Sequence, residues 1–222
     1  MISGVTIPGV TAARLKFFWG PMDCGKSTLA LQMDHNHARQ GRRGLVFTTI
    51  DRSGQPRVTT RIGLQRHAIE VTADLDLREV VRARASVDGP VDYLICDEAS
   101  FYTVAQVEQL AELVDTAGID VYAFGLATDF RSELFPAARR LFELADEVER
   151  LQVEVLCWCG RPGLLNARVI DGVVVREGEQ VLIGDTVGDG MHYQVLCRRH
   201  YRSGELGPRL TYQRAGASGA SR

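Results

Sequence analysis

The stretch FFWGPMDCGKSTLALQM, residues 17–33, runs from an apolar aromatic segment through a glycine-framed loop into a segment of helical character. Gly20, Gly25, Lys26 and Ser27 complete the pattern G-x-x-x-x-G-K-[ST] where a strand should hand over to a helix. The glycines let the backbone curl so that several N–H groups face one anion, and the start of the helix adds its positive end. Gly20, Pro21, Met22, Asp23, Cys24, Gly25, Lys26, Ser27 and Thr28 are therefore the candidate contacts to a nucleotide. Lys26 is placed to reach the β and γ phosphates, and the Ser27 hydroxyl to join Mg²⁺.

Outward from this loop, short apolar runs alternate with amphipathic segments, the pattern of a parallel sheet wrapped by helices. Strands are expected at 15–19, 44–49, 91–97 and 120–126, with helices over 26–40 and 103–116. The second helix carries Val104, Val107, Leu110, Ala111 and Val114 at helical spacing. Residues 52–69 have strand-like fragments without a clean period and are expected to form an irregular or hairpin excursion. Pro136 should open a further helix running to about residue 146. Beyond Val148 the texture changes, and Asp171-Gly172 between apolar runs signals a hairpin. The expected organisation is a nucleotide-binding α/β domain at 14–149, a small β module at 150–202, and a Gly-, Ser- and Arg-rich tail at 203–222 with the composition of a disordered segment.

Composition narrows the function classes. The 222 residues are 45% hydrophobic and 24% charged, as in ordinary globular proteins, and the formal net charge of −2 gives no pull toward nucleic acid or an anionic membrane. No apolar run approaches the roughly 20 residues that span a bilayer, and the first residues lack a charged leader followed by an apolar core. A cytoplasmic protein with no membrane and no nucleic-acid polymer as partner is expected. In a reducing compartment the five cysteines suit metal ligation or burial as thiols better than disulfides.

The phosphate loop alone says nucleotide and no more. VDYLICDEASF adds an apolar strand ending in Asp97 and Glu98, the position where such folds place an acidic residue that holds Mg²⁺. Asp97, Glu98, Ala99 and Ser100 are thus candidate neighbours of ATP, with Ser27 and Asp97 as the Mg²⁺ pair. In phosphoryl transfer the acceptor hydroxyl loses its proton as it attacks, and Glu98 is placed to take it. An ATPase would use the same glutamate to position water, so this step leaves kinase and hydrolase both open. DEAS also resembles a helicase acidic box, which keeps a P-loop ATPase acting with nucleic acid in view, and a zinc-bearing binding module switched by ATP is a third reading.

GPMDCGKST, DEASF, FGLATDFRSELFP and GDGMHYQVLCRRHY occur in this order, and with them the sequence resembles the thymidine kinase family over about residues 15–201. The resemblance implies a P-loop, RecA-like, mostly parallel sheet flanked by helices, plus a small C-terminal zinc-bearing β module. It implies transfer of the ATP γ-phosphate to the 5′-hydroxyl of deoxythymidine in nucleotide salvage, with Glu98 as the base. It implies inhibition by the end product dTTP and a homotetrameric assembly. A nucleoside pocket would comprise Met22, Phe101, Leu126, Phe130 and Phe135, where aromatic groups can enclose a flat base; each taken alone also suits a core position. The family closes its pocket with a flexible lasso, and IGDTVGDGMHYQVLC fits that role, although a plain hairpin fits it as well. The carry-over gives Thr186, Val187 and Gly188 as backbone contacts to the base and Tyr193 on the sugar. Arg52 and Arg61, after the second strand, correspond to a segment near the phosphates, or are solvated surface.

Cys197-Arg198-Arg199-His200 has the C-x2-H spacing of half a zinc site. The other half is irregular: Cys157 and Cys159 are one residue apart, and Leu156 stands where the family's first cysteine aligns. A tetrahedral structural zinc on Cys157, Cys159, Cys197 and His200 is expected, against a three-ligand site or none. Such a metal would pin the base of the lasso, so its removal should loosen nucleoside binding before it damages the ATP site. His35 and His37, on the helix after the phosphate loop, are expected at the surface.

Overall fold

Phe17 and Phe18 are neighbours in sequence and both buried, which requires a strand covered on its two faces. They lie on β1 (Leu15–Trp19). The computed structural model describes residues 13–49, 57–59, 65–152, 154–180 and 190–208. After β1 come α1 (Lys26–Arg39), β2 (Gly44–Thr48), β3 (Arg57–Thr59), β4 (Gln65–His67), β5 (Ile69–Glu70), α2 (Leu77–Asp88) and β6 (Tyr93–Cys96). A single 3-10 turn, Ala99–Phe101, leads to α3 (Val104–Ala117), β7 (Asp120–Gly125), α4 (Pro136–Leu144) and β8 (Glu147–Arg150).

The main sheet has the order β5-β2-β6-β7-β1-β8, and every neighbouring pair in it is parallel. Parallel neighbours need crossovers; helices supply them except between β2 and β5, where β3 and β4 intervene, and the helices cover the two faces. On one face Phe17, Phe47, Leu94, Cys96, Val121 and Ala123 pack against α2, α3 and α4 through Leu77, Val107, Leu110 and Leu141. On the other, Phe18, Val46, Tyr93, Ile95, Tyr122 and Phe124 meet Ala30 and Leu31 of α1. The alternation along β1, β6 and β7 is that of strands whose odd and even residues feed separate cores.

The expected strands and helices are present with ends moved by one or two residues. β3 and β4 pair antiparallel, as a hairpin excursion would. α2 is an addition to the expected elements. Leu77 and Val81 are buried on it, with Val80 and Ala85 packed against the same core, and its start is marked by Asp76, whose carboxylate accepts the amides of Arg78 and Glu79.

β8 closes the sheet beside β1. Beyond it β9 (Leu165–Ile170), β10 (Val173–Val175) and β11 (Met191–Leu196) form a three-stranded antiparallel sheet with β9 in the middle, followed by α5 (Arg198–Ser203). The β9–β10 turn is the expected Asp-Gly hairpin, with Asp171 at φ 50° and Gly172 at φ 79°.

Candidate active site

Register brings the carboxyl ends of β1, β6 and β7 to one level: Trp19 lies beside Gly125 and Cys96 beside Ala123. The segments leaving these ends therefore converge, as ligand sites of parallel sheets do. The Gly20 amide donates to the Gly125 carbonyl at 3.3 Å and the Asp97 amide to Phe47 O at 2.9 Å.

Asp23 (φ 67°) and Gly25 (φ 82°) give the loop after β1 its left-handed bends. Gly20 is required for a second reason: a Cβ there would lie 2.5 Å from the sulfur of Cys24, which is completely buried beneath it. Lys26, only 8% exposed, folds back so that Nζ donates to the Pro21 carbonyl at 2.8 Å and the Gly20 carbonyl at 3.3 Å, with the Cys24 thiol at 3.8 Å.

Asp97 is buried, and burial pushes its pKa up while the Ser27 hydroxyl, the Glu98 amide and the charge of Lys26 pull it down. The candidate Mg²⁺ pair, Ser27 and Asp97, thus lies close enough for the hydroxyl to act on the carboxylate, which also accepts the Glu98 amide at 3.1 Å. A hard cation prefers carboxylate and hydroxyl oxygens of this kind, so the donor set fits Mg²⁺. Glu98 is held in the left-handed region at φ 54°, ψ 33°, a conformation that costs a non-glycine residue energy. Its carbonyl is fixed by the Phe101 amide at 3.0 Å and the Thr49 hydroxyl at 3.4 Å. Ala99 and Ser100 are buried, and the Ser100 hydroxyl donates to Leu126 O at 2.6 Å, tying the end of β6 to the end of β7.

The candidate nucleoside residues divide into two groups. Phe101, Leu126 and Phe135 belong to the main core, with the Phe101 and Phe135 rings edge to face at 5.2 Å. Phe130 lies outside it, buried beneath the Arg168 guanidinium at 3.6 Å. Arg168 Nε donates to the hydroxyl of the half-exposed Tyr193 at 3.0 Å, so one arginine joins both residues. Tyr201 OH donates to the Phe130 carbonyl at 2.6 Å, and the buried Asp129 is bound by Arg131 and by the Gln180 amide at 3.1 Å. Met22, half-buried, donates its amide to Asn166 Oδ1 at 2.8 Å. Asn166 and Arg168 were absent from the sequence expectations; the sign that points to them is two polar residues, two apart, inside the otherwise apolar strand LNARVI. Thr186, Val187, Gly188, Arg52 and Arg61 lie outside the described residues.

The side chains of Cys157, Cys159, Cys197 and His200 gather with all donor atoms within 4.8 Å of one another. Cys157 Sγ is 3.4 Å and Cys197 Sγ 3.6 Å from His200 Nδ1, and Cys159 Sγ is 4.0 Å from Cys197 Sγ. Three sulfurs and one imidazole nitrogen at these separations suit tetrahedral zinc. Leu156, 53% exposed, points away from the cluster, and Cys157 takes the place. Around the donors, the His200 ring stacks on Trp158 at 4.3 Å, which fixes its plane, and its Nε2 lies 3.7 Å from the Glu205 carboxylate.

One surface expectation is corrected. His35 is exposed, but the His37 ring packs against Tyr93 at 4.7 Å and Tyr122 at 5.1 Å, with Nδ1 3.0 Å from Arg42. Burial, then the Arg42 charge, push its pKa down. The helical period puts His37 on the same face as the buried Ala30 and Asp34; the polar character of Asp34, His35, Asn36 and His37 disguises that face in sequence.

A parallel sheet with a phosphate loop after β1 and a buried aspartate after β6 defines a P-loop nucleotide-binding protein. The family model described as Thymidine kinase matches residues 13–201. Proteins named Thymidine kinase are 56% identical over 196 residues in Cutibacterium acnes, covering 88% of this chain and 91% of the relative, and 53% identical over 191 residues in Streptomyces coelicolor, covering 85% and 88%. A third, from Rhizobium etli, is 38% identical over 192 residues, covering 85% and 93%. The chain belongs to the thymidine kinase family.

Proposed function

We infer that the protein transfers the γ-phosphate of ATP to the 5′-hydroxyl of deoxythymidine, giving dTMP and ADP for nucleotide salvage. The observation that carries this reading is the convergence of Lys26, Ser27, Asp97 and Glu98 at the ends of β1 and β6 in a chain of this family. The loop from Gly20 to Thr28 binds the phosphates, and Lys26 leaves its carbonyl partners for the charged phosphate oxygens, which attract an ammonium more strongly. Ser27 and Asp97 would hold Mg²⁺, which neutralises charge on the β and γ phosphates. Glu98 takes the 5′-hydroxyl proton as the oxygen attacks phosphorus, and its fixed backbone limits the positions its carboxylate can take.

Met22, Phe101, Leu126, Phe130, Phe135 and Tyr193 bound the nucleoside, with Thr186, Val187 and Gly188 as lasso contacts and Arg52 and Arg61 near the phosphates. The zinc module, residues 150–202, is a separate unit docked on the domain at 14–149, and its metal is structural, since four protein ligands leave no open position. Inhibition by dTTP and a homotetramer belong to the same reading and rest on family membership. So does a cytoplasmic place; among the described residues no helix is long and apolar enough to cross a membrane.

The test is Glu98→Gln, which keeps size and hydrogen bonding but cannot take the proton. It should lower kcat by about 10²–10⁴-fold with MgADP and thymidine affinities retained. Unchanged kcat would remove Glu98 from its role.

A further inference from the structure

The Pro21–Met22 peptide unit is gripped at both ends. Its N–H donates to Asn166 Oδ1 at 2.8 Å, and its carbonyl accepts Lys26 Nζ at 2.8 Å. Because a trans peptide is planar, with N–H and C=O pointing in opposite directions, fixing one end aims the other. Asn166 is 4% exposed and sits in β9, the central strand of its sheet, opposite Val195 of β11. Its position is therefore set by strand pairing and does not depend on the loop it touches. An amide this buried is costly without a partner, and its acceptor spans 144 positions of sequence to reach this one N–H.

We propose that Asn166 is a positioning residue for nucleotide binding: it orients the Pro21–Met22 peptide and thereby sets where Lys26 rests before phosphate arrives. The resting acceptors of Lys26 are two backbone carbonyls and a thiol, all uncharged, so the ammonium is held near the phosphate path yet surrendered to a phosphate oxygen. Without the Asn166 acceptor the peptide can rotate, its carbonyl swings away, and the lysine starts from a spread of positions that binding must narrow. Arg168, two residues along the same face of β9, lies over Phe130 and Tyr193. One strand face thus touches the phosphate loop through Asn166 and the candidate nucleoside loop through Arg168. This deepens the phosphate-site reading and rests on it.

The experiment compares the full-length parent with Asn166→Ala and with Asn166→Leu, which removes the acceptor but nearly conserves volume. Titration calorimetry with MgADP and, separately, with thymidine is paired with the KM values for ATP and thymidine. Both variants should bind MgADP about fivefold more weakly, the worth of one net buried hydrogen bond, with a matching rise in the ATP KM and a smaller change for thymidine. In the unliganded parent the Met22 amide should exchange slowly with solvent, a measurement that needs no variant to fold. Parent-like MgADP affinity in the Asn166→Leu variant, equal weakening of both ligands, or rapid exchange at Met22 would overturn the proposal. A parent that binds no MgADP would instead overturn the phosphate-site reading beneath it.

Discussion

At the residue scale, Cys24 shows how a position left free by a motif becomes specified by packing. The pattern G-x-x-x-x-G-K-[ST] asks nothing of it, and no chemistry of the phosphate loop needs a thiol. Its buried sulfur fills the space that a glycine at position 20 leaves open. Gly20→Ala should therefore destabilise the protein by about 1–3 kcal/mol, as overpacking does, and weaken nucleotide binding. Adding Cys24→Ala should recover part of both losses, because it removes the atom the new methyl would strike. Equal melting temperatures for Gly20→Ala and the double variant would show that the sulfur is not the obstacle. The glycine, lysine and serine of the loop were legible in sequence because chemistry dictates them. Asn166 and Arg168 were not, because their significance comes from contacts with residues far away in sequence, Met22 and Phe130.

At the scale of elements, the four inner strands β2, β6, β7 and β1 were legible as apolar runs buried on both faces and α3 by its 3.6 repeat, whereas the edge strands β5 and β8, short and largely exposed, carry no such run. α2 was missed because its stripe of Leu77, Val80, Val81 and Ala85 is short and interspersed with Arg78, Glu79, Arg82 and Arg84; the helix is also held by its cap and by Gln109, whose side chain accepts the Leu77 amide at 3.0 Å. The zinc cluster was legible in donor identity and ambiguous in spacing; the exposure of Leu156 resolves which residue of LCWC turns inward. Its path to the candidate nucleoside loop is short. His200 is followed by Tyr201, whose hydroxyl holds the Phe130 carbonyl, and Tyr193 lies on β11, which leads to Cys197. Chelation of the metal should therefore lower the melting temperature and raise the thymidine KM several-fold, with a smaller change in the ATP KM. Thymidine affinity that survives complete demetallation, checked by metal analysis, would separate the cluster from the pocket.

At the scale of the molecule, two units of different construction meet where the reaction is placed. The parallel sheet supplies the phosphate loop and the carboxylates; the antiparallel module supplies Asn166 against the loop and Arg168, Gln180 and Tyr201 against the segment after β7. The module is small for a hydrophobic core of its own, its buried apolar cluster being Cys157, Ala167, Leu196, Cys197 and Tyr201; its four-residue Cys/His cluster could hold a metal that would reinforce it, and contacts with the parallel-sheet domain add to it. A thymidine kinase moves a phosphoryl group from ATP onto a nucleoside hydroxyl. The direct measurement is incubation of the purified protein with Mg²⁺ and ATP labelled at the γ-phosphate, in the presence of deoxythymidine or deoxycytidine. Label appearing on the 5′ position of deoxythymidine, with one ADP formed per dTMP and little transfer to deoxycytidine, is the predicted result. Release of label only as inorganic phosphate, at a rate indifferent to deoxythymidine, would contradict it.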